Sequence, residues 1–279
     1  MSESKSWFFI APSLLGMAVF FFVPTLVSLF YAFTDVTGNF IWLANFIDIL
    51  SNAAFRLAAR NTALFIAISV PLNMLISFSL ASLLQKLRFK KALAILFMVP
   101  LVIPSGATVF FWNSIFSYNG FLNRILLLNG FEAVAWFNSS WAFHVVLIMF
   151  LFKHIGFNLV LFISGYQLIP KEYYEIARIE GAGVFRTFRE VTFIYMLPTT
   201  FIVMMMSMVN AFRVFRETYL LFGQYPHSSI YLLQHFMNNQ FLAANMQRLS
   251  TAAFMLSLGV IVLVLGVFTA QRRISESFS

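Results

Sequence analysis

Residues 170–198 read PKEYYEIARIEGAGVFRTFREVTFIYMLP, the longest strongly polar island in an otherwise apolar chain. Pro170 suits the start of a helix, because its missing N–H would have no partner there in any case. From Glu172 to Glu180 the residues are good helix formers. Tyr173, Ile176, Ala177 and Ile179 are apolar, while Glu172, Glu175, Arg178 and Glu180 are charged. Gly181-Ala182-Gly183 then interrupts the run, since two glycines this close weaken a helix and allow a tight turn. A second short amphipathic run follows, with Val184, Phe185, Phe188 and Val191 apolar and Arg186, Arg189 and Glu190 polar. Pro198 marks the approach to the next apolar stretch. The expectation is two short helices that meet at a glycine corner on a membrane face and offer a knob to something outside it.

Composition supplies the membrane. Of 279 residues, 61% are hydrophobic, 18% aromatic and only 10% charged, against about 25% charged in an average soluble domain. No soluble core hides that much apolar surface, so the chain is read as an all-α, polytopic membrane protein. A net charge of +8 would suit nucleic acid on a soluble face. Here the bases lie in short loops between apolar runs, where they orient a protein in a bilayer, so no nucleic-acid partner is expected. Cysteine is absent, which excludes disulfides and thiolate metal sites.

Working outward along the chain, spans are expected near 8–33, 61–84, 92–115, 141–164, 196–222 and 250–270, in one membrane domain over 1–279, with the polar island inside a loop at 165–195. The first is too long for a signal-peptide core and has no cleavage site after it. Residues 34–60 hold no apolar run long enough to cross. The segment between the second and third spans carries Lys86, Arg88, Lys90 and Lys91, and the third holds Pro100 and Pro104. With the N-terminus inside, the inner segments hold Lys5, Lys86, Arg88, Lys90, Lys91, Lys171, Arg178, Arg186, Arg189, Arg272 and Arg273, and the outer ones Arg56, Arg60, Arg124 and Arg248. Eleven against four favours cytoplasmic termini and a cytoplasmic 165–195 loop.

The island resembles the coupling loop of bacterial type I ABC importer permeases, whose pattern is E-A-A-x-x-x-G-A with a phenylalanine six residues on and a proline beyond it. Glu175, Ala177, Gly181, Ala182, Phe188 and Pro198 match. Ile176 stands for the second alanine, Glu180 for the usual aspartate, and Ile194 for the first of two prolines. The resemblance to the carbohydrate-uptake kind continues elsewhere. GFLNRILLLNG in the 116–140 loop resembles a G-x-x-N-x-x-L segment, and Asn45-Phe46 a short segment after the first span. Phe152-Lys153-His154-Ile155-Gly156-Phe157-Asn158 resembles W-K-x-x-G-x-N. The end of the fifth span, FRVFRETYLLFGQYP, resembles F-D-x-x-Y-x-L-T-x-G-G-P of the maltose-permease-like half, with Arg216 where aspartate is usual.

The resemblance implies a six-span bundle paired with a second, homologous permease. It implies two cytoplasmic ATPase subunits that bind ATP and Mg, an extracytoplasmic solute-binding protein, and a bacterial plasma membrane location. It also implies that Glu175, Ala177, Glu180, Gly181, Ala182 and Phe188 shape the knob seated in the ATPase, Glu175 meeting a base there and Gly181 permitting the corner that a side chain would block.

The chain itself carries no G-x-x-x-x-G-K-S/T loop, H-E-x-x-H or G-x-S-x-G. His144 and His154 stand about 15 Å apart along a helix, too far to share a metal ion. A non-catalytic subunit is therefore expected. A base at bilayer depth costs at least about 2.5 kcal/mol, so it faces a partner or a cavity. Lys153 either pairs with a carboxylate or helix carbonyls in the bundle or meets the substrate. Arg213 and Glu217 are four apart and suited to pair across one turn, which leaves Arg216 without an obvious neutraliser. Asn158, Asn210, Arg213, Arg216, Glu217 and Tyr219 join Lys153 as the candidate substrate path, where Arg216 and Arg213 either favour an acidic or heavily hydroxylated saccharide or snorkel to the interface as a pair. The competing class is an ion-coupled secondary carrier, which needs no glycine-cornered loop and usually shows repeated halves. A membrane assembly factor is the third.

Overall fold

The computed structural model describes residues 3–85 and 87–276, with side chains over 10–85 and 87–273. Lys86 and the Lys5 side chain, both weighed in the orientation count, lie outside them. Among the described residues the regular structure is helical, apart from an isolated bridge between Thr34 and Phe40.

Helix α1 (Glu3–Met17) passes through a π-turn at Ala18–Phe22 into α2 (Val23–Phe33). The wide turn comes just before Pro24, whose ring and missing N–H a regular turn does not accommodate. A short α3 (Ala44–Ser51) leads to α4 (Ala53–Leu84). This span begins at Ala53 rather than at 61. Arg56 and Arg60 lower the local hydropathy, yet arginine is a good helix former, so the helix extends past the apolar run. The expected third span, 92–115, is broken into α5 (Lys90–Val102) and α6 (Ser105–Phe116), the latter followed by α7 (Phe121–Leu128). The two parts bend by 94° at the break. Ile103, with ψ 126°, has left the helical region, because the ring of Pro104 crowds the residue before it. Pro100, by contrast, is absorbed within α5.

The remaining elements are α8 (Trp141–Gln167), α9 (Lys171–Ile179), α10 (Val184–Thr187), a π-turn at Phe188–Thr192, α11 (Phe193–Arg213), α12 (Phe215–Phe222), a 3-10 turn at Ser228–Ile230, α13 (Leu233–Leu242) and α14 (Met246–Glu276). Among the described residues, five stretches are long and apolar enough to cross a bilayer: Ile10–Phe33, Ala53–Leu84, Trp141–Gln167, Val184–Phe222 and Met246–Arg273. The bent pair makes a sixth if counted as one span.

Packing divides the chain into two units, Met1–Ala58 with Leu233–Ile261, and Ala59–Leu232 with Val262–Ser279. In the first, Asn45 Nδ2 donates to the carbonyls of Ala32 (3.0 Å) and Thr34 (2.9 Å) and so closes the end of α2. The rings of Phe33, Phe46 and Phe254 pack together with centroids 5.2 to 6.1 Å apart. Arg248 bonds Asp48 at 2.8 Å, and that hydrogen bond holds the carboxyl below its ordinary pKa.

In the second unit α8 is the central helix. Val145 and Met149 pack with Trp112 and Phe116; Val146 and Phe150 pack with Phe65, Val70 and Ala211; Leu159 and Phe162 pack with Ala81, Ala94 and Met196. Lipid tails are as apolar as leucine, so such contacts hold through close fit rather than through exclusion of water. Glycines make the fit possible. A Cβ on Gly156 would overlap the backbone of Phe97 in α5, and one on Gly165 would overlap Thr199 in α11.

Candidate functional site

The polar island folds as an amphipathic helix, a corner and the foot of a span. Helix α9 ends at Gly181, whose φ of 73° is left-handed. Gly181 N–H donates to Arg178 O (3.1 Å) and Ala182 N–H to Ala177 O (2.9 Å), the pair of bonds that satisfies the last carbonyls of a Schellman-capped helix. Nothing lies within 4 Å of where a Cβ on Gly181 would sit. The requirement for glycine there is thus conformational: a side chain would oppose the left-handed turn itself, not a close neighbour. Gly183, at φ −67°, has no such requirement.

The second short run corrects a further expectation. It does not lie flat as a helix of its own. From Val184 the chain runs as one helical path, with the π-turn at Phe188–Thr192 and a break at Val214, as far as Phe222. That stretch of 39 residues is about 58 Å long at 1.5 Å per residue, roughly twice the thickness of a bilayer core. Its foot therefore projects beyond the apolar layer.

Inward, α9 is fastened to the spans. Ala177 is buried with Val191 and Ile169. Tyr174 Oη lies 3.2 Å from Thr192 Oγ1, and the rings of Tyr173 and Tyr195 are 4.7 Å apart. Phe188 meets Phe78 edge-on at 6.0 Å. Outward, Glu175, Glu180 and Gly181 are exposed and Ala182 is half-buried. Around the corner Ile179 is 86%, Val184 91% and Phe185 78% exposed. These three apolar residues were not singled out together from the sequence. Their signal was present in the change of face between the two runs.

The ionisable groups at bilayer depth arrange differently from the local expectation. Glu217 pairs with Lys153 of α8 and accepts a 2.9 Å hydrogen bond from Ser105 Oγ at the start of α6. It does not pair with Arg213. The helix is interrupted at Val214 between them, so the i,i+4 register no longer applies. The carboxylate partner expected of Lys153 is thus Glu217. Asn158 is fully buried in a polar node, its Nδ2 donating to Asn73 Oδ1 of α4 and to Ser207 Oγ of α11 (2.7 Å). Ser77 Oγ donates to Ile155 O (3.1 Å) beside it. Asn158 is enclosed and presents no surface to a solute. Arg213 and Arg216 are exposed, and among the described residues neither has an ion pair. Asn210 and Tyr219 are half-buried on the same stretch.

In the loop after α6, Asn123 is buried and fully engaged. It donates to Tyr118 O and Val134 O (both 2.9 Å) and accepts from Val134 N–H (3.0 Å) and Trp136 Nε1 (2.9 Å). Gly120 stands where a Cβ would collide with Ile115 O.

The family described as "Binding-protein-dependent transport system inner membrane component" matches residues 73–278. The chain belongs to that family. The permease is 28% identical to the arabinooligosaccharides transport system permease protein AraP of Bacillus subtilis, over 99% of this chain and 90% of that protein. It is 30% identical to the AraP of Halalkalibacterium halodurans, over 75% of this chain and 69% of that one. Its fold matches a chain of a bacterial ABC transporter involved in the import of the acidic polysaccharide alginate, with a TM-score of 0.84 at 19% identity, covering 98% of this chain and 97% of that chain. The permease is thus a multi-pass membrane protein of a binding-protein-dependent system with the type I importer permease fold. Membership sets aside the ion-coupled carrier. The F-K-x-x-G-x-N run of the permease now has a physical content: an ion pair, a close approach and a polar node.

Proposed function

We propose that the chain is one of two related membrane subunits of an ATP-driven importer of an oligosaccharide. The observation that carries this reading is the corner at Gly181. An exposed apolar tip of Ile179, Val184 and Phe185 marks a surface that another protein covers, and in this reading the cover is an ATPase subunit. Glu175 and Glu180 flank the tip and meet bases there. Gly181 and Ala182 form its turn. Ala177, which is buried, and Phe188, which is partly exposed and touches Phe78 of α4, carry its displacement into the spans. Two ATPase subunits bind ATP and Mg; this chain supplies no catalytic group. A solute-binding protein delivers the substrate on the opposite face, and a second permease and lipid cover the apolar flanks. The family's description as an inner membrane component supports a bacterial plasma membrane location, and the count of bases supports cytoplasmic termini.

The substrate path runs along the end of the fifth span, past Asn210, Arg213, Arg216 and Tyr219. Two exposed arginines with no carboxylate partner among the described residues favour an acidic saccharide, and the fold neighbour that imports an acidic polysaccharide supports that class. Uptake of labelled uronic and neutral oligosaccharides is the test, in cells expressing the complete transporter with this chain wild-type or Arg216→Asp. One lost charge-assisted hydrogen bond is worth about tenfold, so the acidic substrate falls by that factor relative to the neutral one. An unchanged ratio removes the arginine from the path. Uptake that persists without the binding protein removes the importer reading itself.

A further inference from the structure

The short helix α3 leaves one apolar face bare. Leu43 at its start, Ile47 and Leu50 are spaced four and three apart, so they form one stripe along it, and all three are exposed. The opposite face holds the helix down. Asn45 donates to the last carbonyls of α2, Phe46 packs on Phe33 and Phe254, and Ile49 is fully buried. A third, polar arc carries Ser51 and Asp48, the latter bonded to Arg248. Trp42 extends the apolar stripe. It holds φ at 53°, a region that bulky side chains rarely enter and that persists only where the surroundings impose it. Among the described residues its ring meets that of Phe40 edge-on at 5.1 Å, yet the residue stays 74% exposed. Contacts within the chain therefore do little to offset the strain. Phe40, itself exposed, stacks on Phe33 at 6.0 Å, so a run of touching rings leads from the end of α2 out to Trp42.

Two span ends set the depth of this face. Ile10–Phe33 has 24 residues, about 36 Å at 1.5 Å per residue, against about 30 Å of hydrocarbon. Phe33 thus lies near the hydrocarbon boundary. So does α3, which is fastened there by Asn45 and, through Asp48 and Arg248, to the first turn of α14. From this arrangement we infer that Trp42 and the stripe of Leu43, Ile47 and Leu50 form an in-plane membrane anchor, whose partner is the phospholipid interface. An amphipathic helix lies in that interface with its apolar face at the acyl boundary, and tryptophan settles at headgroup level. The ring of Trp42 then finds outside the chain the contact that it lacks within it, and Asp48 and Arg248 stay on the side of the water. The anchor holds the ends of α2 and α14 at one depth. Which leaflet it enters follows from the orientation proposed above, whereas the lipid contact rests neither on that orientation nor on transport.

The complete transporter is reconstituted in nanodiscs of phosphatidylcholine with phosphatidylglycerol, with one nitroxide-labelled cysteine in this chain, which has none of its own. Ile47→Cys and Leu50→Cys sample the stripe and Ser51→Cys the polar arc, with the unsubstituted chain as the labelling blank. Size-exclusion of the intact complex confirms assembly of each variant. Electron paramagnetic resonance reads the access of oxygen, which concentrates in lipid, and of a water-soluble nickel chelate. The expected result is that labels at 47 and 50 keep oxygen access and lose nickel access, while the label at 51 keeps nickel access. A second measurement needs no label. The tryptophan fluorescence of the wild type, less that of Trp42→Phe, is quenched more by lipids brominated near the headgroup than by lipids brominated deep in the tails. Nickel access at 47 and 50 equal to that at 51 places the stripe in water. Exclusion of both reagents there places it under another protein chain. Either result, or a Trp42 signal that no brominated lipid quenches, overturns the anchor.

Discussion

Gly181 and Gly183 stand two residues apart and have unlike requirements. Gly181 holds φ at 73° and Gly183 at −67°. A side chain in the left-handed region costs on the order of 1 to 3 kcal/mol, least for asparagine, which visits that region locally. Gly181→Leu therefore lets the complex assemble but uncouples ATP hydrolysis from uptake, Gly181→Asn retains most of the coupling, and Gly183→Ala is neutral. The ratio of solute moved to ATP hydrolysed in reconstituted vesicles checks this order. Equal ratios for Gly181→Leu and Gly183→Ala would remove the corner from the mechanism. The glycine pair was legible in the sequence; which glycine needs the positive φ was not, because that depends on where α9 ends.

Glu217 joins three elements, α6 through Ser105, α8 through Lys153, and α12 on which it lies. Sequence spacing could ask for a carboxylate near Lys153 but could not choose one 64 residues away. It favoured a local Arg213 pair, which the break at Val214 removes. The polar node had the same difficulty. Asn73 and Asn158 stand out in apolar spans, whereas Ser207, their partner, gives no signal because single serines are common in membrane helices. Removing one member of a buried pair leaves an uncompensated charge, at about 3 to 5 kcal/mol. Glu217→Gln should lower the thermal stability of the solubilised complex by about that amount. Adding Lys153→Met should recover most of it. A double variant no more stable than Glu217→Gln would mean that the pair does not hold α8 to α12.

Across the whole molecule, hydropathy located the apolar stretches because burial in lipid demands long runs. It misplaced their ends and missed the 94° break in the third, since helices outlast apolar runs at arginines and fail locally before a proline. The polar island was readable as a loop with a corner, while its continuation into the fifth span was hidden by the charges of Arg186, Arg189 and Glu190. Arg186 and Glu190 bond each other along the helix at 2.9 Å. On the proposed function, the corner seats in an ATPase in the assembled transporter and moves with it. The natural absence of cysteine allows that claim to be tested at one position. Val184→Cys places a single thiol at the exposed tip, and crosslinking in native membranes with and without ATP, read by mass spectrometry, identifies what touches it. Capture of a soluble ATPase subunit, with a yield that changes with ATP, is the expected result. Capture of lipid-side neighbours alone, by a transporter that still moves solute, would contradict it.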